Sequence, residues 1–398
     1  MLRLLSLVGL VVFLGLAWLM SENRRVVPWR IVFWGLGLQF AFALLVLQTG
    51  LADPFFAGVD AVVGVLTDAT MEGAEFVFGP AAVEGNAVAF QVLPVIIFVA
   101  SLSAILYHLR VIQTLVRAVA WVMRRTLRTS GAETFGAALL IFLGIESTTA
   151  LRGYIANMTR SELCTFMTTF MGTIAGSVMV VYATFGAEPG HLVAASLMSA
   201  PAAILISKLM VPETETPQTQ EGATIDVPID SHNVVDAAAQ GASEGLKLAL
   251  NIATMLIAFI GLIYLLNLAA ATVFGITFEG IMGYVFVPFA FLMGVPWADA
   301  LAVGELLGTK TVLNEFLAYA ALQGQVEAGV IEGRALTIAT YALCGFANPG
   351  SLGIVIAGVS ALVPERRAEI VALGLKAFIG GTLAAFCTAC VAGIIVYA

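Results

Sequence analysis

The chain has 398 residues, 60% of them apolar and only 11% charged, with a net charge of −8 and a mean hydropathy of +0.99. An average soluble domain carries about 25% charge, so a soluble fold is excluded, and apolarity sustained over this length cannot come from a single anchor. The negative net charge, with no Lys/Arg cluster interleaved with aromatics, also disfavours nucleic-acid binding.

Taken in chain order, residues 2–20 form a first apolar run. No small-x-small cleavage site follows it, and Arg24, Arg25 and Arg30 come directly after, which predicts a retained span rather than a cleaved signal. The segment 52–86 carries Asp53, Asp60, Asp68, Glu72, Glu75 and Glu84 without a single base, which suits the outer face. Further apolar runs fall at about 31–51, 87–107, 131–150, 163–186, 190–211, 248–275, 280–296, 335–363 and 370–397. Val111 to Arg128 sets Ile112, Leu115, Val119 and Val122 against Arg117, Arg124, Arg125 and Arg128, the pattern of a basic amphipathic helix lying on an interface. Pro212 to Ser243 is polar, acidic and rich in Thr and Pro, and is predicted to be the one long hydrophilic connection.

Two regions break the rule that a spanning helix wants about 20 uninterrupted apolar residues. Around Gly144-Ile145-Glu146-Ser147 and around Asn314-Glu315-Phe316 a carboxylate sits in mid-segment, with mostly apolar sequence on either side. About ten residues make about 15 Å of helix, half a bilayer, so each region is expected to be a re-entrant helical hairpin with its acid at the tip. Each is followed by an apolar helix that is itself interrupted, at Gly172–Ser177 and at Gly345–Ser351. Such breaks free backbone polar groups that hydrocarbon cannot satisfy, and so belong beside a cavity.

The acid-to-serine interval is 31 residues in the first unit (146 to 177) and 36 in the second (315 to 351), the mark of an internal repeat. With the N-terminus outside, eight spans and two hairpins place nearly every Lys and Arg on the cytoplasmic side, leaving Arg3, Lys310 and Arg334 as exceptions. The hairpins then enter from opposite faces. The expected fold is an all-α polytopic protein of about eight transmembrane helices and two opposed hairpins in an inverted repeat, the architecture of secondary transporters. Its expected parts are scaffold spans at 1–108, a first repeat half at 109–211, the polar connection at 212–243, a scaffold span at 244–275 and a second repeat half at 276–398.

An ionisable group within a membrane is costly and marks a functional site by default. Glu146 and Glu315 are the two strongest candidates, a structural role in satisfying hairpin-tip amides being the plainer alternative. Asn314, Asn348 and Ser351 add donors and acceptors near Glu315, so the natural ligand is a neutral, hydroxyl-rich solute. Phe346 offers a face for a flat ring or, equally, a packing surface. Lys310 is expected to pair with Glu305 or a helix end. Cys164, Cys344, Cys387 and Cys390 sit in apolar surroundings and are expected to pack as small hydrophobes. No metal, redox, hydrolase or nucleotide motif competes. The chain is therefore not expected to be an enzyme or to hold a cofactor; a membrane enzyme acting on a lipid-linked sugar and a channel are the alternatives from other classes.

The stretch Gly308-Thr-Lys310-Thr-Val-Leu-Asn314-Glu315-Phe316-Leu-Ala318-Tyr319 resembles the signature of the concentrative nucleoside transporters. Phe90-Gln-Val-Leu-Pro94, Met158-Thr-Arg-Ser-Glu-Leu163, Thr173-Ile-Ala-Gly-Ser177, Asn233-Val-Val-Asp-Ala-Ala-Ala239, Gly241-Ala-Ser-Glu-Gly-Leu-Lys247 and Gly345-Phe-Ala-Asn348 are similar to the same family. The likeness runs from about residue 72 to the C-terminus. It implies a nucleoside importer in a bacterial inner (plasma) membrane, a homotrimer, and an elevator-like movement of the hairpin-bearing part. By motif, Glu315, Asn314, Asn348 and Ser351 would hold the ribose, Phe346 and Val178 would flank the base, and Glu146 would reach the base edge. The first hairpin departs from the family pattern: Gly144-Ile145-Glu146 lacks one residue and puts an aliphatic side chain where an amide and a hydroxyl are usual, which points to altered base recognition. Sodium-coupled relatives carry an Asn where this chain has Leu140, and a Ser or Thr at Thr173. Leucine offers a hard cation no oxygen, so the resemblance favours H+ over Na+ as the coupling ion, with Glu146 or Glu315 as proton carrier.

Overall fold

The computed structural model describes residues 1–48, 52–80, 88–144, 147–219, 229 and 231–396. These are helical or lie in the turns between helices, with no strand among the described residues. The N-terminal part holds α1 (Leu2–Leu19), α2 (Trp29–Leu47), α3 (Ala52–Phe78) and α4 (Val88–His108). A first series follows: α5 (Val111–Leu127), α6 (Gly131–Leu143), the single turns α7 (Ser147–Ala150) and α8 (Arg152–Ile155), α9 (Arg160–Gly172), α10 (Gly176–Thr184) and α11 (Pro189–Met210). After α12 (Val234–Phe274) a second series runs through α13 (Phe278–Leu292), α14 (Ala300–Val312), α15 (Glu315–Glu327), α16 (Gly333–Leu343), α17 (Pro349–Leu362) and α18 (Arg367–Ile395). The two series share one order: a flanking helix, two hairpin arms, two halves of a broken helix and a long closing helix.

Local chemistry sets these boundaries. Ser130 caps α6 by accepting from Glu133 N, and Thr159 with Glu162 forms a capping box at the start of α9. Asn314 accepts from Leu317 N at the head of α15, and Asn348 from Ser351 N at the head of α17. Gly144 ends α6 with φ +62°, a conformation costly to any residue bearing a Cβ.

Eight described segments are long and apolar enough to cross a membrane, one of them the broken pair α9 and α10 taken together (160–184). They include α3, which carries most of the acids of the segment expected on the outer face. At mean hydropathy 1.3 it is the most polar of the eight, and five acids lie along its 27 residues. The expected run 335–363 is divided between α16 and α17. The run 280–296 becomes the 15-residue α13, short of a bilayer crossing; it packs on α14, where the backbones of Gly283 and Gly304 press together. The polar stretch 212–243 is helical from Val234 onward. Asn233 caps that turn, and Gly241 and Gly245 let α12 lie so close on α4 that a Cβ at either would stand within 2.8 Å of Ala104 or Ile97. Helix α12 is therefore 41 residues long.

Charge separates along the molecule. Arg160 and Lys376 both bind Glu22 in the α1–α2 turn, at 2.8 and 2.7 Å, and Arg366 donates to the Met158 carbonyl at 2.6 Å. At the other end Arg3 donates to Ile395 O and Arg334 to Gly294 O, Gly393 O and Val396 O. Three of the bases expected on the cytoplasmic side, Arg160, Arg366 and Lys376, thus lie at one end, and Arg3 and Arg334 at the opposite one.

Candidate functional site

The two broken helices cross at their breaks. A Cβ on Gly345 would stand 3.1 Å from the Gly172 backbone, and Phe346 N donates to Thr173 O at 3.3 Å. Here α10 and α17 both begin, and α15 begins beside them. Three helix N-termini, with their outward N–H groups and partial positive charge, therefore converge on one region. Between them lies a cavity of about 100 Å³ lined by Gly144, Phe170, Val178, Asn314, Glu315, Phe346, Asn348 and Ser351, and also by Leu248, Ile252 and Met255 of α12.

Glu315, only 2% exposed, is the charge of this cavity and stands on the first turn of its own helix, where the dipole favours an anion. Its Oε2 accepts from Asn348 Nδ2 at 2.6 Å and its Oε1 from the Tyr182 hydroxyl at 3.0 Å. Asn348 is fully engaged: Nδ2 also donates to Ser351 Oγ at 3.0 Å while Oδ1 caps α17. Asn314 spends its Oδ1 on the α15 cap, and its amide donors have no partner among the described residues. Phe346 packs on Phe170 with ring centroids 5.5 Å apart, and Val178 is buried on the first turn of α10. One side of the cavity is thus a fixed acceptor and hydroxyl cluster, the other an apolar and aromatic wall.

Six of the residues chosen from sequence, Val178, Asn314, Glu315, Phe346, Asn348 and Ser351, line this one cavity. Glu146 and Ile145 lie outside the described residues, although Gly144 immediately before them lines the cavity. Thr173 is buried behind the lining, its hydroxyl donating to Thr169 O at 2.8 Å. Leu140 is fully buried on α6, and its carbonyl accepts from Gly144 N, the α6 cap. Lys310 makes the helix-end contact, donating to Ala342 O near the end of α16 at 2.8 Å, and no ion pair joins it to Glu305. The four cysteines are buried and free.

Two features escaped the sequence. Tyr182 carries the contact from the first series to Glu315 and stacks on Tyr319 at 4.4 Å. Beneath the first hairpin, Lys208 of α11, 2% exposed, forms ion pairs with Glu133 of α6 at 2.8 Å and Glu213 at 3.2 Å. Lys208 also donates to Ser161 at 2.9 Å, while Ser130 donates to Glu162.

Three family models cover the chain: the Na+ dependent nucleoside transporter N-terminus over residues 8–81, nucleoside recognition over 89–189, and the Na+ dependent nucleoside transporter C-terminus over 191–393. The chain belongs to the Na+ dependent nucleoside transporter family. It is 42% identical, over 98% of its own length and 99% of the relative's, to the uncharacterized transporter YutK of Bacillus subtilis. It is also 42% identical over 99% of its length to Solute carrier family 28 member 3 of mouse, of which it spans 59%, and to the human protein of that name, of which it spans 60%. Its fold matches that of CNTnw in an inward-facing substrate-bound state, with TM-score 0.94 and 35% identity over 99% of this chain and 98% of that one. It matches an outward-facing form of a CNTnw variant with TM-score 0.92 and 34% identity over 99% of this chain and 98% of that one. The chain is therefore an integral multi-pass membrane protein of a transporter family, and the enzyme alternative is set aside.

Proposed function

We propose that this chain imports nucleosides by cation-coupled symport, binding the ribose in the cavity at the crossed helix breaks. The observation that carries this is the pairing of the buried Glu315, Asn348 and Ser351 cluster with Phe346 and Val178 across one small cavity. A carboxylate with both oxygens pinned accepts hydroxyl hydrogens, and an apolar slot receives a flat ring. Asn314 supplies further donors, and Glu146 completes the site from the first hairpin at the base edge. Because Ile145 offers neither an amide nor a hydroxyl, discrimination among bases is weakened by about 1 to 3 kcal/mol for each hydrogen bond so lost. A nucleoside-like solute with a non-standard base is the second reading, and it rests on that same substitution.

The coupling ion is H+ rather than Na+. Leu140 brings no oxygen to the first hairpin, and Thr173 alone does not make a hard-cation site. Of the two proton-carrying candidates, Glu146 is the one that leaves Glu315 ionised to accept the ribose hydroxyls. Transport proceeds by alternating access: the hairpin-bearing series, entering the bilayer from opposite faces, moves against the locked α4–α12 pair. The protein works as a homotrimer in a bacterial plasma (inner) membrane, with the exposed apolar side chains of α12, among them Ile257, Ile260 and Leu265, facing lipid or a neighbouring protomer.

Uptake of labelled uridine and adenosine into proteoliposomes tests this. Accumulation driven by an inward proton gradient, and insensitive to sodium, is the expected result. Accumulation only with sodium would overturn the coupling, and no uptake of any nucleoside under either gradient would overturn the function.

A further inference from the structure

Glu315 is held from two sides by groups of very different origin. Asn348 belongs to the same half of the molecule and to the family motif; Tyr182 comes from the opposite series, 133 residues away in sequence. The Tyr182 ring is fully buried. It is clamped by Tyr319, stacked at 4.4 Å and 22°, and by Phe316 edge-on at 5.1 Å. The Tyr319 hydroxyl is engaged elsewhere, donating to Thr340 O at 2.9 Å, so it is the two rings that hold Tyr182. The Tyr182 hydroxyl has therefore little freedom, and its 3.0 Å bond to Oε1 is set by packing.

A carboxylate offers about four acceptor positions, two on each oxygen. Tyr182 takes one on Oε1 and Asn348 one on Oε2, and with the Glu315 backbone N–H also against the carboxylate, at most one position remains on each oxygen. Two adjacent acceptors fixed in one plane match two adjacent hydroxyls. Without Tyr182 the carboxylate could turn about its last torsion, which is broad and weakly restrained in a free Glu, and the paired presentation would be lost while a single bond could still form.

We propose that Tyr182 is the positioning residue that presents both Glu315 oxygens to a vicinal diol, and so sets the preference for ribonucleosides over sugars lacking one or both hydroxyls. The assignment rests on the nucleoside reading above. It also makes the grip on the sugar a joint product of both series, because the donor sits on α10 and the acceptor on α15.

The test compares Tyr182→Phe, which keeps the ring and its stacking, with wild type and with Tyr319→Phe, which removes a hydroxyl from the same stack but not from Glu315. Binding of uridine and of 2′,3′-dideoxyuridine to detergent-purified protein is measured by calorimetry, and the KM and maximal rate of uptake are measured in proteoliposomes. Tyr182→Phe is expected to weaken uridine binding about tenfold or more, the scale of one charge-assisted hydrogen bond. It should change dideoxyuridine binding less than about twofold and act on KM rather than maximal rate. Tyr319→Phe should leave the uridine-to-dideoxyuridine ratio unchanged. Equal losses for both ligands, or an equal change of the ratio in Tyr319→Phe, would mean a packing role and overturn the assignment, as would unchanged uridine binding. A wild-type protein that binds neither nucleoside would instead overturn the nucleoside reading and the assignment with it.

Discussion

At the scale of single residues, the cavity is built from helix caps that also line it. Asn314 and Asn348 each spend one oxygen on starting a half-helix, which fixes the side chain and aims its remaining atoms at the cavity. Both asparagines, with Glu315, were legible in the sequence because polar residues inside long apolar runs need a reason to be there. Tyr182 was not. In the nine-residue α10 an apolar-looking tyrosine gives no periodic signal, and its partner is 133 positions away. Glu315→Gln should fold, since the amide keeps an oxygen for Asn348 or Tyr182, but it sets a donor against a donor and removes the charge. Nucleoside uptake is expected to fall by about tenfold to a hundredfold, with an unchanged elution profile on size exclusion. Wild-type uptake in this variant would remove Glu315 from the site.

At the scale of elements, the repeat could be read from sequence through the spacing of acid and serine, because broken helices leave glycine, proline and polar residues where hydrocarbon tolerates none. Lengths were less legible. Helix α12 extends into a polar segment because a cap and two glycines favour the turn and the close approach to α4, whatever the hydropathy. The anchoring of the first hairpin was hidden too: Lys208 lies 75 residues from Glu133, and a lysine near the end of an apolar run signals only an interface. Removing one member of a buried ion pair leaves the other uncompensated. Lys208→Met is accordingly expected to destabilise the protein by about 3 to 5 kcal/mol, while the double substitution Glu133→Leu with Lys208→Met recovers most of the loss. Unfolding followed by tryptophan fluorescence in mixed micelles would read both, and equal stability of single and double variants would contradict the pairing.

At the scale of the whole molecule, the ends are tied differently. At one end Glu22 fastens the α1–α2 turn to α9 and α18 through Arg160 and Lys376. The hydrogen bond from Arg160, with further help from Lys376 and against the effect of partial burial, holds the Glu22 carboxyl down to about 2 from its ordinary 4.5. A carboxyl lowered on folding stabilises in full above the unfolded value and loses that effect as pH falls through the folded one. The gap in melting temperature between wild type and Glu22→Gln is therefore expected to be constant above about pH 4.5 and to close between there and about pH 2. A gap independent of pH across that window would mean that the tie contributes nothing through its charge.

The central proposal is a ribose held by Glu315 beside the crossed breaks. A cryo-electron microscopy map of the uridine-bound protein in lipid nanodiscs tests this directly. Sugar hydroxyls should lie within about 3 Å of both Glu315 oxygens, with the base between Phe346 and Val178 and Glu146 at its edge. Uridine density elsewhere, or in this cavity with its sugar turned away from Glu315, would contradict it.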